Sequence, residues 1–308
     1  MNNKNKYVIY NVSDALSSGA VEYIGSKRKG WLTYMFKGKD VRILFKQGRA
    51  GSGENWAEKV TCELAELLDL PHAHYELAHL SQDDPCVISL NFLAEGDALK
   101  LRNELIEGFD KDQRFKNTRH TLDAMLNAMQ QNNVQLPWNT LERDRIVTKA
   151  SDLLIGYLCF DAWIGNTDRH AENWGIIIQN NKINILAPTF DHASSLGRNE
   201  SDERRRERLA TKDTGRNIQK YVQNAMVPIY NQYGDQLNTI SLIKECRHHN
   251  CQVTDYWIGE IMKITNEDHK IKKILELMPK EFMSDLAKDF AMATLKESTK
   301  QLRRLQDD

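Results

Sequence analysis

Three residues past the middle of the chain have the types and spacing for one shared reaction. Asp168 and Asn173 stand five apart within GNTDRHAENWGIIIQNNKINILAPTFDHASSL, Gly165–Leu196, and Asp191 follows two apolar runs later. Phosphoryl transfer asks for this donor set: a carboxylate to accept the proton of an attacking hydroxyl, and two hard oxygen ligands, one amide and one carboxylate, for Mg2+ beside the phosphates of ATP. Asp-x-x-x-x-Asn alone arises by chance about once in a chain of this length and says little. The order of parts says more: a long apolar helix, the Asp–Asn loop, a short hairpin, then the second Asp. The plainer alternative makes Asp168 a cap, Asn173 a strand start and Asp191 a turn residue.

The same chemistry needs a cation on the nucleotide phosphates and an acid to hold it. Lys46 ends the apolar run VRILFK, and a helical pattern begins eight residues later, upstream of the Asp–Asn loop as required. Glu58 lies one turn into that helix, on the shoulder of its apolar face, with Glu54 and Glu63 as rivals. The plainer readings are a solvated lysine at a strand end and a surface acid. A phosphate-covering loop is expected at GSKRKG, Gly25–Gly30, a poor match to G-x-G-x-x-G in which Lys27, Arg28 and Lys29 replace glycine amides as anion contacts. The competing loop is GRAGSG, Gly48–Gly53, just before the helix, where free amides favour anions. There the lysine precedes the glycines, unlike a Walker loop.

The elements that position these groups follow from apolar periodicity. Gly30–Phe36 and Val41–Lys46 read as a hairpin about a turn at Lys37–Asp40, with a further strand in Ala20–Gly25. Ala57, Val60, Leu64, Leu67 and Leu68 recur at helical spacing, and Pro71 is the expected stop. Pro85–Leu93 is another strand, and Ala94–Leu101 reads as a connector. Helices are expected over Thr121–Asn132 and Leu141–Gly165, a hairpin over Trp174–Phe190 about Asn180-Asn181, and helical structure again from residue 215 onward. These elements predict an α+β, bilobal protein-kinase-like fold: a small β-rich N-lobe over 1–93 that covers the nucleotide, and a larger, mainly helical C-lobe over 94–308 that carries the Asp–Asn loop and metal site.

Composition narrows the class. The chain has 308 residues with 41% hydrophobic and 28% charged, an ordinary globular mixture long enough for two lobes. Forty-two basic against 43 acidic residues give a net charge of −1, against a protein that coats nucleic acid, so no direct nucleic-acid contact is expected. Five widely spread cysteines are an odd count and suit a reducing compartment. The N-terminus lacks an apolar secretory core, and Leu153–Phe160 is too short to span a bilayer, which predicts a cytoplasmic protein without membrane association. CRHHNC, Cys246–Cys251, offers four donors at a spacing that fits no zinc pattern. His170 reads as a brace for the loop rather than a base. Arg198–Lys220 holds eight basic and five acidic residues just after Asp191, where an activation segment would meet an acidic or nucleic-acid-bound protein substrate.

IGNTDRHAENW followed by LAPTFDHASSL resembles the HipA-like serine/threonine kinase family, whose later motif has the form P-x-x-D-x-x-S. The resemblance extends to Trp31–Ala73, through Lys46 and GENWAEKVTCELAELLDLPHA, is weaker over Leu90–Gly108 and fades beyond residue 225. The extra N-terminal subdomain of full-length HipA toxins is missing here, so the chain looks more like the short branch, such as the toxin of the tripartite HipBST systems or a cell-translocating kinase. The resemblance implies ATP and Mg2+ as cofactors, Asp168 as catalytic base, Asn173 and Asp191 as Mg2+ ligands and Lys46 as phosphate ligand. It places an adenine hinge at Leu90 to Phe92 and makes Ser26 the autophosphorylation candidate by position. It further implies a toxin or effector that phosphorylates a protein such as a translation component, an antitoxin protein as partner, and translocation into a host cell as an alternative destination. A catalytically dead binding module and a different ATP chemistry, nucleotidylation or small-molecule phosphorylation, remain the alternatives.

Overall fold

The computed structural model describes residues 6–17, 22–23, 28–81, 84–105, 118–137, 145–180 and 182–307. Gly25, Ser26 and Lys27 of the expected covering loop lie outside the described residues. A six-stranded sheet forms the small lobe. Its members are β1 (Ile9–Asn11), β2 (Glu22–Tyr23), β3 (Lys29–Phe36), β4 (Lys39–Lys46), β5 (Tyr75–His79) and β6 (Pro85–Leu90), in the order β1-β5-β6-β4-β3-β2. β1 joins β5 in parallel and the other neighbours pair antiparallel. The short helix α1 (Ser13–Ser17) follows β1, and α2 (Glu54–Leu67) connects β4 to β5.

The expected hairpin is present with a tighter turn: Phe36 pairs with Lys39, and Lys37 and Gly38 take the left-handed φ values that a two-residue turn needs. Leu32, Ile43, Phe45, Ala78 and Ile88 alternate inward and bury one face of the sheet. α2 covers the other face with Ala57, Val60, Leu64 and Ala65. Pro71 does not stop α2. The helix ends at Leu67, and Asp69 turns the chain in the left-handed region at φ 52° before the proline is reached. β1 and β5 were not expected. Both are short, and β5, Tyr-Glu-Leu-Ala-His, lacks the β-branched residues that mark a strand in sequence.

The larger lobe is built around α5 (Ala150–Ile164), which is apolar on every side and buried along almost its whole length, as a helix packed all round must be. Around it lie α4 (Leu122–Gln131), α8 (Thr239–His249), α9 (Cys251–Asn266), α10 (Asp268–Leu277) and α11 (Asp285–Asp307). α5 and α9 meet closely at Gly156, where an added Cβ would come within 2.5 Å of the Trp257 ring, so the contact needs glycine. Trp257 Nε1 donates to the Asp152 carbonyl at 3.1 Å across the same contact.

Three expectations are corrected here. Residues 141–144 of the expected helix Leu141–Gly165 lie outside the described residues; residues 145–149 are not helical, and α5 begins at Ala150, where Asp152 Oδ2 accepts the amides of Thr148 and Lys149 and fixes the helix start. The supposed connector contains β7 (Ala98–Leu101), which pairs with β8 (Gly175–Gln179); β8 in turn pairs with β9 (Ile183–Leu186) in the expected hairpin. The region after residue 215 is not all helical: between α7 (Ile218–Gln223) and α8 lies the hairpin of β10 (Met226–Tyr230) and β11 (Gln236–Asn238). The short α3 (Arg102–Leu105) follows β7, and α6 (Asp202–Ala210) precedes α7.

Candidate active site

Lys46, at the last position of β4, points to the junction of the two lobes. Its Nζ lies 2.9 Å from Glu58 Oε1, 3.2 Å from Asp191 Oδ1 and 3.0 Å from the Tyr75 hydroxyl. Glu58, rather than Glu54 or Glu63, is the helix acid that meets Lys46. Glu54 faces the Arg198 guanidinium and accepts the Arg49 amide, and Glu63 pairs with Lys59. Burial alone would strip the charge from Lys46, but the Asp191 and Glu58 carboxylates outweigh it and hold the amine well above its ordinary range. Burial pushes Glu58 up to about 6 against the pull of Lys46, with the Asp191 charge adding to the rise.

Asp191 adopts φ 61°, a left-handed conformation uncommon outside glycine. The turn aims its carboxylate at Lys46 while the next amide, His192 N–H, donates to Glu58 Oε2 at 3.0 Å. The Asp191 N–H donates to the Tyr75 hydroxyl at 3.4 Å. Phe190, one residue earlier, stacks on Phe92 with ring centroids 6.1 Å apart, so the chain just after β6 touches the Asp191 segment. Leu90 closes β6, paired with Ile43 of β4.

The Asp168–Asn173 loop opens where Gly165 ends α5 in the left-handed conformation at φ 66°. Asn173 Nδ2 donates to the Asp168 carbonyl at 2.6 Å, which closes the loop and leaves the amide oxygen as the atom able to meet a cation. Asp168 keeps an accessible side chain, 37% exposed, with Ser194 Oγ 3.4 Å from Oδ2. His170 lies within the loop: Nδ1 accepts the Glu172 amide at 3.1 Å, and Nε2 sits 3.9 Å from Asp168 Oδ1.

A buried ion pair holds this loop in place, and the sequence reading did not identify it. Arg169 donates to Asp161 through Nε at 2.5 Å and a terminal nitrogen at 2.8 Å, and Asn166 adds a third bond to the same carboxylate at 2.8 Å. The guanidinium also donates to the Asn173 carbonyl and to Thr189 Oγ1 at 2.9 Å. One side chain therefore joins the end of α5, the loop and the segment entering Asp191. His192 Nε2, 3.1 Å from Arg169, can only accept there, and burial with that cation holds its pKa well below the usual range, so the ring is neutral. The available signal was an acid ending an apolar run eight residues before an arginine. Tyr75 had no signal in the sequence.

Four amides of the rival loop Gly48–Gly53 are bonded within the protein. Gly48 N–H donates to Asn55 Oδ1, Arg49 N–H to Glu54, Ser52 N–H to the Arg49 carbonyl and Gly53 N–H to the Arg198 carbonyl. Those amides are therefore committed within the protein and do not form a phosphate cradle. Four of the eight basic residues in the run after Asp191 are paired: Arg198 with Glu54, Arg205 with Asp202, Arg208 with Glu200 and Arg216 with Glu207. Among the described residues no helix is long and apolar enough to cross a membrane.

A strand lysine held by a helix glutamate, facing an Asp that follows a hairpin and an Asp–Asn loop below it, defines a two-lobed, protein-kinase-like chain. The model of the HipA-like C-terminal domain matches residues 15–249, and the chain belongs to that family. Among solved structures it is similar to the Helicobacter pylori proinflammatory kinase CtkA, with a TM-score of 0.71 and 17% identity over 98% of this chain and 99% of that one. It is also similar to HipA of Shewanella oneidensis MR-1, seen in a toxin–antitoxin complex with HipB and operator DNA, with a TM-score of 0.51 and 11% identity over 94% of this chain and 68% of that one. No curated protein matches the chain.

Proposed function

We propose that this chain is an ATP-dependent serine/threonine protein kinase of the HipA-like type. The observation that carries the reading is Lys46 Nζ lying between Glu58 and Asp191, at 2.9 and 3.2 Å, across 145 residues of sequence. Lys46 would hold the nucleotide phosphates, with Glu58 as its positioning partner. The backbone from Leu90 to Phe92 would form the adenine hinge, and the lobes would divide at residues 93 and 94. Asp168 would accept the proton of the protein hydroxyl as it attacks the γ-phosphorus in line, while the bond to the β-phosphate oxygen breaks.

Asn173 and Asp191 suit Mg2+, because both offer hard oxygen atoms and the Asp191 side chain is 36% exposed toward the cleft. Bound Mg2+ would neutralise charge on the transferring phosphates. The toxin–antitoxin setting of the Shewanella HipA supports an antitoxin partner and a toxin or effector role here, acting on a protein such as a translation component.

The test is to incubate the purified chain with a generic protein acceptor and ATP labelled at either the γ- or the α-phosphate. Retention of the γ label on protein, lost in Asp168→Asn, is the expected result. Retention of the α label would make the enzyme a nucleotidyl transferase, and binding of ATP without transfer would leave a binding module.

A further inference from the structure

A second cluster of donor atoms lies behind the Lys46 site, on the far end of α2. Cys62 comes from the helix, and His72 and His74 from the segment that returns to β5; one ligand atom from each lies within 4.8 Å of the other two. Cys62 Sγ is 4.0 Å from His74 Nδ1. Donors on a tetrahedral Zn2+ stand about 3.3–3.6 Å apart, given Zn–S near 2.3 Å and Zn–N near 2.0–2.1 Å, so a small side-chain rotation would close the set. We propose that Cys62, His72 and His74 form a zinc site that clasps α2 to the segment entering β5.

The surroundings are those of metal ligands. His72 Nδ1 donates to the Leu70 carbonyl at 2.7 Å, which leaves Nε2 for a cation. His74 Nε2 donates to Glu76 Oε1 at 3.1 Å, which leaves Nδ1 facing the sulfur. Each ring therefore has its second nitrogen fixed by a carbonyl or a carboxylate, as ligating histidines do. The Tyr75 amide donates to Cys62 Sγ at 3.3 Å, a contact that favours thiolate. His72 and Cys62 are enclosed, whereas the His74 side chain is 44% exposed, so a fourth position opens toward solvent. Water would take it, or Glu66, whose carboxylate is 3.6 Å from His72 Nε2.

The consequence is mechanical. Cys62 lies one turn beyond Glu58 on α2, and Tyr75, whose amide meets the sulfur, gives its hydroxyl to the Lys46 cluster. An ion at this point would fix both walls of that cluster at once. CRHHNC does not compete: Cys246 is buried in α8, and Cys251 donates to Asp255 Oδ2 at 3.1 Å.

The test reads metal rather than phosphoryl transfer, so it stands apart from the kinase reading. The full chain, stripped with chelator and dialysed, is titrated with Co2+ and then with Zn2+ against a chromophoric chelator. One equivalent of Co2+ with a thiolate-to-cobalt charge-transfer band, displaced by Zn2+, is expected. Cys62→Ser should abolish the band, and His74→Asn, at a half-exposed position that spares the core, should weaken Zn2+ binding at least about 100-fold. Cys251→Ser and Asp191→Asn should keep the band. No thiolate band in the folded wild type, or a band that survives Cys62→Ser or disappears in Cys251→Ser, overturns the proposal.

Discussion

Replacing Asp161 by alanine isolates the buried pair that holds the Asp168 loop. The Asp161 and Arg169 side chains are 2% and 1% exposed, and Asp161 accepts three hydrogen bonds at 2.5 to 2.8 Å. Asp161→Ala leaves a buried guanidinium with only neutral acceptors, a change that costs about 3–5 kcal/mol. An unfolding entropy of about 2.1 cal/mol/K per residue over 308 residues gives about 0.65 kcal/mol/K, so Tm should fall by about 5–8 °C. Asp161→Ala/Arg169→Met, with both charges gone, should be more stable than Asp161→Ala alone. Thermal unfolding of the wild type, Asp161→Ala, Arg169→Met and the double variant in one buffer measures this. The transfer rate should drop about 100-fold in both variants, because the Asp168 loop loses its tether. A Tm within about 1 °C of wild type in Asp161→Ala, or a double variant whose loss is the sum of the single losses, would refute the coupling.

The other expectations concern the reacting groups. Asp168→Asn should fold and bind ATP but lose about 10²–10⁴ in transfer rate, measured with labelled ATP; near-full activity would remove Asp168 as base. Fluorescent ATP-analogue affinity should depend on Mg2+ and weaken in Asp191→Ala, and equal wild-type affinities with and without EDTA would dismiss the metal role. Transfer should fall as pH drops through about 6, where Glu58 takes a proton and releases Lys46. The sign for stability is opposite: the folded state binds that proton more tightly than the unfolded chain, so this group's contribution is full below the ordinary carboxylate range and shrinks as pH rises to about 6. Glu58→Gln should lack the acidic limb, and an unchanged limb would assign it to another group. Mass spectrometry should find phosphate on Ser26 in the wild type and none in Asp168→Asn; phosphate on Ser52 instead, or on no serine, would remove Ser26 from that role.

Much of the candidate site was legible because the residue types that a phosphoryl-transfer reading asks for stand close together in the chain. Asp168 and Asn173 sit on one loop, and a hairpin of about twelve residues returns Asp191 to it, so their order appears in the linear chain. The apolar run of α5, the β3–β4 hairpin and α2 were legible for a similar reason: their periodicity comes from local burial. β5, β7 and the β10–β11 hairpin were not, since a short strand is settled by its neighbour. β7 acquires its partner only when Ala98–Leu101 meets Gly175–Ile178.

By itself, then, the sequence picked out an Asp–Asn loop, a later Asp and a lysine with three candidate acids as the groups to be brought together. The tertiary structure decided the rest. Glu54, Glu58 and Glu63 share one helix and comparable local surroundings, and only the approach of Lys46 and the His192 amide separates Glu58 from the others. Tyr75 and the Asp161–Arg169 tie depend on contacts between elements, as does the Cys62, His72 and His74 cluster. No periodicity encodes such contacts, because they arise from how the lobes and loops close on one another rather than from any single element.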